Sequence, residues 1–195
     1  MSKRVLIIDG HPDAQAEHYL HSLSTAYRDG AVKAGHTVRS IIVSELLFPI
    51  LRTKEDFESG APIATIRECQ EALSWAEHVV ILFPLWLGSM PALLKGFLEQ
   101  VLRPGFAFAS GPRGGPGAKL LIGKSARVII TMGMPAFFYR WYFRGHSLKA
   151  LKRNVLGLCG IWPVRASVIG PVESMSPIGR GNWLARVQRL GKSAR

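Results

Sequence analysis

Five stretches of the chain read as strands, Arg4–Asp9 (RVLIID), Thr37–Val43, His78–Phe83 (HVVILF), Arg127–Met132 and Val164–Ile169, and the third is a continuous apolar run. Continuous runs, rather than an alternation of apolar and polar residues, are what strands need when both faces of a parallel sheet are covered. Between them the apolar positions recur at helical spacing. Helices are predicted over 15–34, with Gly35 placed to close the first, over 63–75, over 92–102 with Pro91 in the opening turn, and over 182–190. Two connections are longer. Ser44–Pro62 carries Pro49, Gly60 and Pro62, and Pro104–Lys119 carries Gly105, Gly111, Gly114, Gly115 and Gly117, so both read as loops or small excursions. Regular alternation of strand and helix predicts an α/β fold, a three-layer doubly wound sandwich around a five-stranded parallel sheet. The periodicity alone does not choose among doubly wound strand orders. One domain over residues 1–195 is expected, with 191–195 able to fray.

Composition narrows the class. With 48% hydrophobic and 19% charged residues the chain can bury a sizeable core. No apolar run reaches the roughly 18 to 20 residues of a membrane span, and MSKRVLIIDG passes directly into a strand, so no signal peptide is read and a cytoplasmic protein is expected. The net charge of +12 is spread along the chain rather than blocked. That distribution argues against a nucleic-acid track and for a surface that attracts anionic dinucleotides. Cys69 and Cys159 lack partners at metal-ligand spacing, and the six histidines show no HxxxH pattern, so no metal site is expected. Residues 118–125 (AKLLIGKS) nearly match a phosphate loop, but Ala118 stands where the first glycine belongs and the segment precedes a strand instead of following one.

The candidate chemistry lies in loops that follow strands, where ligands bind in open α/β sheets. The third strand runs through Phe83 into Pro84, which removes a ladder N–H, and the loop tip is Trp86-Leu87. The first strand ends in Asp9-Gly10-His11-Pro12-Asp13-Ala14-Gln15-Ala16-Glu17, which is not a GxGxxG turn, and Asp13 could cap the helix after it. The fourth runs into Thr131-Met132-Gly133-Met134, where Gly133 lets backbone approach a planar ligand, and then into an aromatic stretch, Phe137 to Phe143, that ends near His146.

The ordered set Pro84, Leu85, Trp86, Pro91, Ala92, Leu94, Lys95 and Gly96 resembles the NAD(P)H:quinone oxidoreductases, DT-diaphorase-like flavoenzymes of flavodoxin-like fold. GLCGI at 157–161 and Pro177-Ile178-Gly179 are similar as well. The resemblance implies strand order 2-1-3-4-5. It implies that Pro84, Leu85, Trp86 and Leu87 lie against the flavin ring, that Thr131, Met132, Gly133 and Met134 meet its pyrimidine edge, and that His11, Gln15 and His18 meet its phosphate. Tyr139 falls at the position of a tyrosine that faces the flavin, and His146 comes one residue later than the family's histidine, which makes Tyr142 a rival for the tyrosine role; these residues would steady or protonate developing negative charge. Phe106 and Phe108, with Tyr142, would line an acceptor pocket completed by a second subunit, so a homodimer with composite sites is implied. Arg186 matches a position that contacts the adenylate of FAD, which favours FAD over FMN. Ala16 departs from the serine or threonine common in relatives, and Asp13 and Glu17 add negative charge; were His11 a loop histidine with no ligand, phosphate contact would depend on backbone amides. The implied activity is flavin-dependent, ping-pong reduction of quinones, or of azo or nitro compounds, by NAD(P)H. A flavoprotein subunit ancillary to a membrane transporter is the alternative, and a one-electron flavodoxin carrier is disfavoured by the basic charge.

Overall fold

The computed structural model describes residues 1–15, 17–110 and 116–195. In chain order the elements are β1 (Arg4–Asp9), α1 (Tyr19–Lys33), β2 (Thr37–Ile42), a 3-10 turn (Val43–Glu45), α2 (Lys54–Glu58), α3 (Ala64–Trp75), β3 (His78–Pro84), α4 (Ala92–Val101), β4 (Phe108–Ser110), β5 (Pro116–Lys119), β6 (Ser125–Thr131), α5 (Ala136–Trp141), α6 (His146–Ala150), a π-helical turn (Leu151–Leu156), α7 (Gly157–Cys159), β7 (Val164–Ile169) and α8 (Pro177–Ser193). Strands β2-β1-β3-β6-β7 form one five-stranded sheet, and β4 pairs with β5 in a separate antiparallel ribbon. All pairings in the main sheet are parallel. Its five strands therefore stand in the order 2-1-3-4-5 once the ribbon is set aside.

Each central strand buries both faces. Along β1, Leu6 and Ile8 point into one core and Val5 and Ile7 into the other. The first core is closed by Ile66 and Leu73 of α3 and Leu94, Phe97 and Val101 of α4. The second is closed by Leu20, Leu23 and Tyr27 of α1 and Val187 of α8. Helices α1 and α8 cross at two glycines. A Cβ on Gly30 would lie 1.9 Å from the Gln188 carbonyl oxygen, and one on Gly191 would lie 2.1 Å from that of Tyr27. Only glycine permits the backbones to meet so closely.

Several boundaries differ from the sequence expectation. α1 starts at Tyr19, four residues late, because Asp13 does not cap it: residues 9–15 form a hydrogen-bonded turn and His18 is the N-cap without a side-chain cap bond. Its far end behaves as expected, with Gly35 at φ +81°. β3 includes Pro84, paired with Thr131, and Leu85 N–H donates to the Thr131 carbonyl at 2.7 Å, so proline does not end the ladder at once. α8 begins early because Ser176 Oγ accepts from Gly179 N at 3.1 Å. The end expected to fray is instead helical to Ser193, with Ala194 buried and its carbonyl held by Lys3 Nζ at 3.1 Å. Gly111, Gly114 and Gly115 lie outside the described residues. Lys124 is not a free surface charge: Nζ donates to the Ser74 and Ala76 carbonyls at 2.7 and 2.6 Å, at the end of α3. Arg103, buried at the end of α4, ties down the long loop by donating to the carbonyls of Asp56 (2.9 Å) and Gly60, while Gln100 Nε2 reaches the Pro49 carbonyl at 2.6 Å. No helix of the described residues is long and apolar enough to cross a membrane.

Candidate functional site

Because the sheet is parallel, the loops after β1, β3 and β6 emerge at one edge from adjacent strands. Gly10 N donates to the Leu82 carbonyl at 2.8 Å, and a Cβ at Gly10 would lie 2.6 Å from Leu94 Cδ2, so this glycine lets the first turn pass tightly over β3 and α4. Beyond it three backbone amides are already engaged. His11 N donates to Asp9 Oδ1 (3.2 Å), Asp13 N to His11 Nδ1 (3.2 Å) and Gln15 N to Asp13 Oδ1 (3.0 Å). Each of these three amides has an internal acceptor. Three imidazoles gather at the same turn. His11 stacks on His18 with ring centroids 4.0 Å apart, and His18 Nε2 lies 2.9 Å from Asp13 Oδ2. His21 completes the group, 5.2 Å from the His11 ring. Burial, aided by the other two imidazoles, holds the His11 pKa down. The bond to His18 lowers that of Asp13. Gln15 and Glu17 are exposed, and Ala16 lies outside the described residues.

His11 also meets the second loop, edge-on to Trp86 at 6.3 Å. Trp86 and Ser89 exchange backbone hydrogen bonds of 2.9 Å, which closes a tight turn with Leu87 at φ +46° and Gly88 at φ +76°. Pro84 and Leu85 are half-buried. Trp86 is 52% exposed and Leu87 wholly so, an apolar ledge that a packing role does not require. In the third loop Thr131 and Met132 are buried, Met134 is half-buried and Gly133 is exposed. Met132 N donates to the Ile169 carbonyl and Val172 N to the Met132 carbonyl, both at 3.0 Å, which draws Glu173 over the loop. A Cβ on Gly133 would lie 2.6 Å from Glu173 Oε2.

The aromatic stretch separates the two tyrosines. Tyr139 is 1% exposed, and its hydroxyl accepts from Leu148 N at 3.2 Å, so it braces α5 against α6 rather than facing an open surface. Burial raises its pKa. Tyr142 is 63% exposed and stacks on Phe138 at 5.1 Å. His146 is exposed at the start of α6. Phe106 and Phe108 are half-buried against the core at the base of the β4–β5 ribbon. Arg186 is exposed on α8 with its guanidinium 4.7 Å above the Trp183 ring. A cleft of about 730 Å³ runs between α1, β2 and α8 and touches the first loop at Asp9, Ala14 and His21. Leu184, Ala185 and Gln188 line it from α8, and Arg186 does not.

The combination is an apolar ledge and a glycine loop suited to a planar heterocycle, with an imidazole-rich turn beside them suited to an anion. Cys69 and Cys159 are buried, their pKa values pushed up by burial to about 11 and about 12, far from thiolate chemistry. No group of three potential metal ligands occurs among the described residues. Sequence reasoning missed His21 and Glu173. The spacing of His18 and His21, one helical step apart behind Asp9, carried the first signal. Nothing in the sequence marked Glu173, whose place depends on how β7 returns.

Comparison with known proteins points the same way. The profile of a family described by its flavodoxin-like fold matches residues 3–186. A Haemophilus influenzae protein described as an uncharacterized NAD(P)H oxidoreductase is 27% identical over 172 residues, 86% of this chain and 84% of that protein. The glutathione-regulated potassium-efflux system ancillary protein KefG of Shigella dysenteriae is 37% identical over 137 residues, which covers 69% of this chain and 62% of KefG. Among solved structures, the NAD(P)H:quinone oxidoreductase of Methanothermobacter marburgensis superposes with a TM-score of 0.82 at 23% identity, covering 99% and 97% of the two chains. An FMN-dependent NADH-azoreductase of Bacillus anthracis, in complex with FMN, gives 0.76 at 19% identity, covering 98% of each. At those identities the structures establish the fold.

Proposed function

The chain belongs to the flavodoxin-like fold family, and from that membership we propose that it is a flavin-dependent oxidoreductase that takes hydride from NAD(P)H and reduces quinones or similar acceptors in a ping-pong cycle. The carrying observation is that the exposed Trp86-Leu87 ledge, the Gly133 loop and the His11 turn emerge from the adjacent strands β1, β3 and β6 at one edge of the sheet, with His11 and Trp86 in edge contact. The names of the Haemophilus relative and of the two superposed structures support the same activity.

Bound flavin would supply hydride acceptance and donation. The residues around it would divide three tasks. Pro84, Leu85, Trp86 and Leu87 would cover one face of the ring and exclude water from it. Backbone at Thr131, Met132, Gly133 and Met134 would meet the ring's polar edge, and Gly133 is exposed in that loop. His11, Gln15 and His18 would take the phosphate, without the hydroxyl that relatives offer at the position of Ala16. Tyr142 and His146, both exposed, are the better-placed proton donors to the acceptor, and Tyr139 would hold the segment between them. Phe106 and Phe108 would line the acceptor pocket of a second copy in a homodimer. FAD rather than FMN is favoured by the cleft beside Asp9 and His21, which offers room for an adenylate, whereas Arg186 stacks on Trp183 outside it.

The test is the absorbance spectrum of purified protein, with identification of any released flavin by mass and anaerobic mixing with NADPH. A yellow protein bleached rapidly by NADPH and recoloured by benzoquinone is expected. A colourless protein that cannot be reconstituted with FAD or FMN would refute the proposal. The identity to KefG favours a second reading, a subunit ancillary to a transporter. That reading expects bound flavin with slow bleaching and no sustained quinone turnover.

A further inference from the structure

His21 lies between two acceptors. Nδ1 is 2.8 Å from Asp9 Oδ2, and Nε2 is 3.0 Å from the main-chain carbonyl of Asp13. A carboxylate and a carbonyl only accept, so the ring satisfies both when each nitrogen carries a proton. The setting is shielded, with the His21 side chain 16% exposed and that of Asp9 5%. A buried carboxylate needs such a partner, and its other oxygen is occupied by His11 N. One charged ring thus joins the end of β1, the turn and the first turn of α1.

We propose that His21, as an imidazolium, is the clamp that holds the Gly10–Gln15 turn in its ligand-ready shape, so that loss of its proton loosens the turn and weakens binding of a phosphate-bearing ligand. The ligand half of this inference rests on the proposed flavin function; the clamp does not. The surroundings support the charged form. Asp9 faces the ring from β1, and His11, Asp13 and His18 face it from the turn and the helix start. Arg28 and Asp29 of α1 and Glu45 after β2 line the adjoining cleft, to which α8 brings the uncharged Leu184, Ala185 and Gln188. Carboxylates outnumber the single arginine. Burial alone would lower the pKa of His21, but the hydrogen bond and charge of Asp9, and then Asp13, outweigh it and raise the value. A raised folded value means that the clamp's stabilisation is complete below the unfolded pKa of about 6.5 and is lost as pH rises through the folded one. The Asp13 carbonyl is then left facing a bare ring nitrogen. Through Asp13 the disturbance reaches Gln15 and His11, whose hydrogen bonds Asp13 shares.

Nitrogen NMR of histidine side chains and backbone amides in the flavin-free full-length protein tests the clamp. The expected result is a doubly protonated His21 ring at pH 6 with a midpoint above about 6.5, and amides of His11, Asp13 and Gln15 that move with that same midpoint. Asp9→Asn should lower the midpoint by about one unit or more, and His21→Gln should remove that amide transition. A neutral ring at pH 6, or amides that stay still while the ring titrates, would overturn the clamp. Dissociation constants for FMN and FAD between pH 6 and 9 test the ligand half: a rise of about tenfold across the His21 midpoint, absent in His21→Gln, is expected. A constant that stays flat while the amides move overturns that half. Failure to bind flavin at any pH counts against the proposed function, and the ring and amide signals still decide the clamp.

Discussion

His78 should make the folded protein acid-labile by a calculable amount. Its ring is wholly buried on β3, with Nε2 3.0 Å from the Tyr27 hydroxyl and Nδ1 2.8 Å from Ser125 Oγ. Burial pushes the Tyr27 pKa up, so that hydroxyl remains a donor to Nε2, and a neutral imidazole with its proton on Nδ1 satisfies both contacts. A second proton, on Nε2, would turn the Tyr27 hydroxyl from donor to acceptor and place a charge in a wholly buried site. Burial, reinforced by Lys3, Arg127 and Arg165, lowers the pKa to about 3. In the unfolded chain it is about 6.5, so between those values the unfolded state carries a proton that the folded state refuses. Stability from this group is therefore complete above about pH 6.5 and falls by about 1.4 kcal/mol for each unit below it, which gives roughly 2 kcal/mol by pH 5. Urea unfolding of the flavin-free protein at pH 7.5 and 5.0 measures the change, and His78→Gln, which keeps a donor and an acceptor but cannot titrate, isolates it. The wild type should lose roughly 2 kcal/mol more than the variant over that interval. Equal losses would refute the account of His78 as a buried neutral group.

The other predictions concern packing and the divided roles of the two tyrosines. Tyr139→Phe strands the half-buried Leu148 N–H and should cost about 1 kcal/mol in unfolding free energy with NADPH oxidation nearly retained, whereas Tyr142→Phe should leave stability within about 0.5 kcal/mol and slow quinone turnover. The opposite pattern in steady-state rates would return the proton-donor role to Tyr139. Gly30→Ala places a methyl 1.9 Å from the Gln188 carbonyl oxygen and should destabilise by about 3 kcal/mol, read as a lower melting temperature, because the contact is backbone and cannot swing aside. Arg103→Met removes the donor that holds the Asp56 and Gly60 carbonyls, and limited proteolysis should then cut within residues 46–63 much faster than in the wild type while the sheet remains protected in hydrogen exchange.

The sheet was legible because burial on two faces leaves a mark in the sequence. Val5 to Ile8, Val79 to Phe83 and Val128 to Ile130 are apolar without a break, and each became a central strand. What local pattern could not carry were features closed from a distance. The start of α1 moved because Asp13 spends its side chain on Gln15 and His18 instead of on the helix. The length of α8 depended on the Ser176 cap and on contact with α1, and its own apolar face is sparse. The same distinction runs through the site. Trp86, Leu87 and Gly133 follow strands directly, so their common edge could be inferred from topology. Tyr139 lies in the short helix α5 and Tyr142 three residues on at its C-cap, and only the fold of Gly145 and Leu148 back onto Tyr139 decides which is buried.

The glycine crossing of α1 and α8 also has a consequence for how the chain is made. Val5, Ile7, Val80, Leu82 and Ile129 present one apolar face, and part of its cover, Val187 with Leu184 and Leu190 packed beside it, comes from the last helix. During synthesis all five strands leave the ribosome before that cover exists. The nascent sheet must therefore wait with an uncapped greasy face, sheltered on that side by α1 alone, so translation speed over the final helix and chaperone contact with that face become determinants of yield.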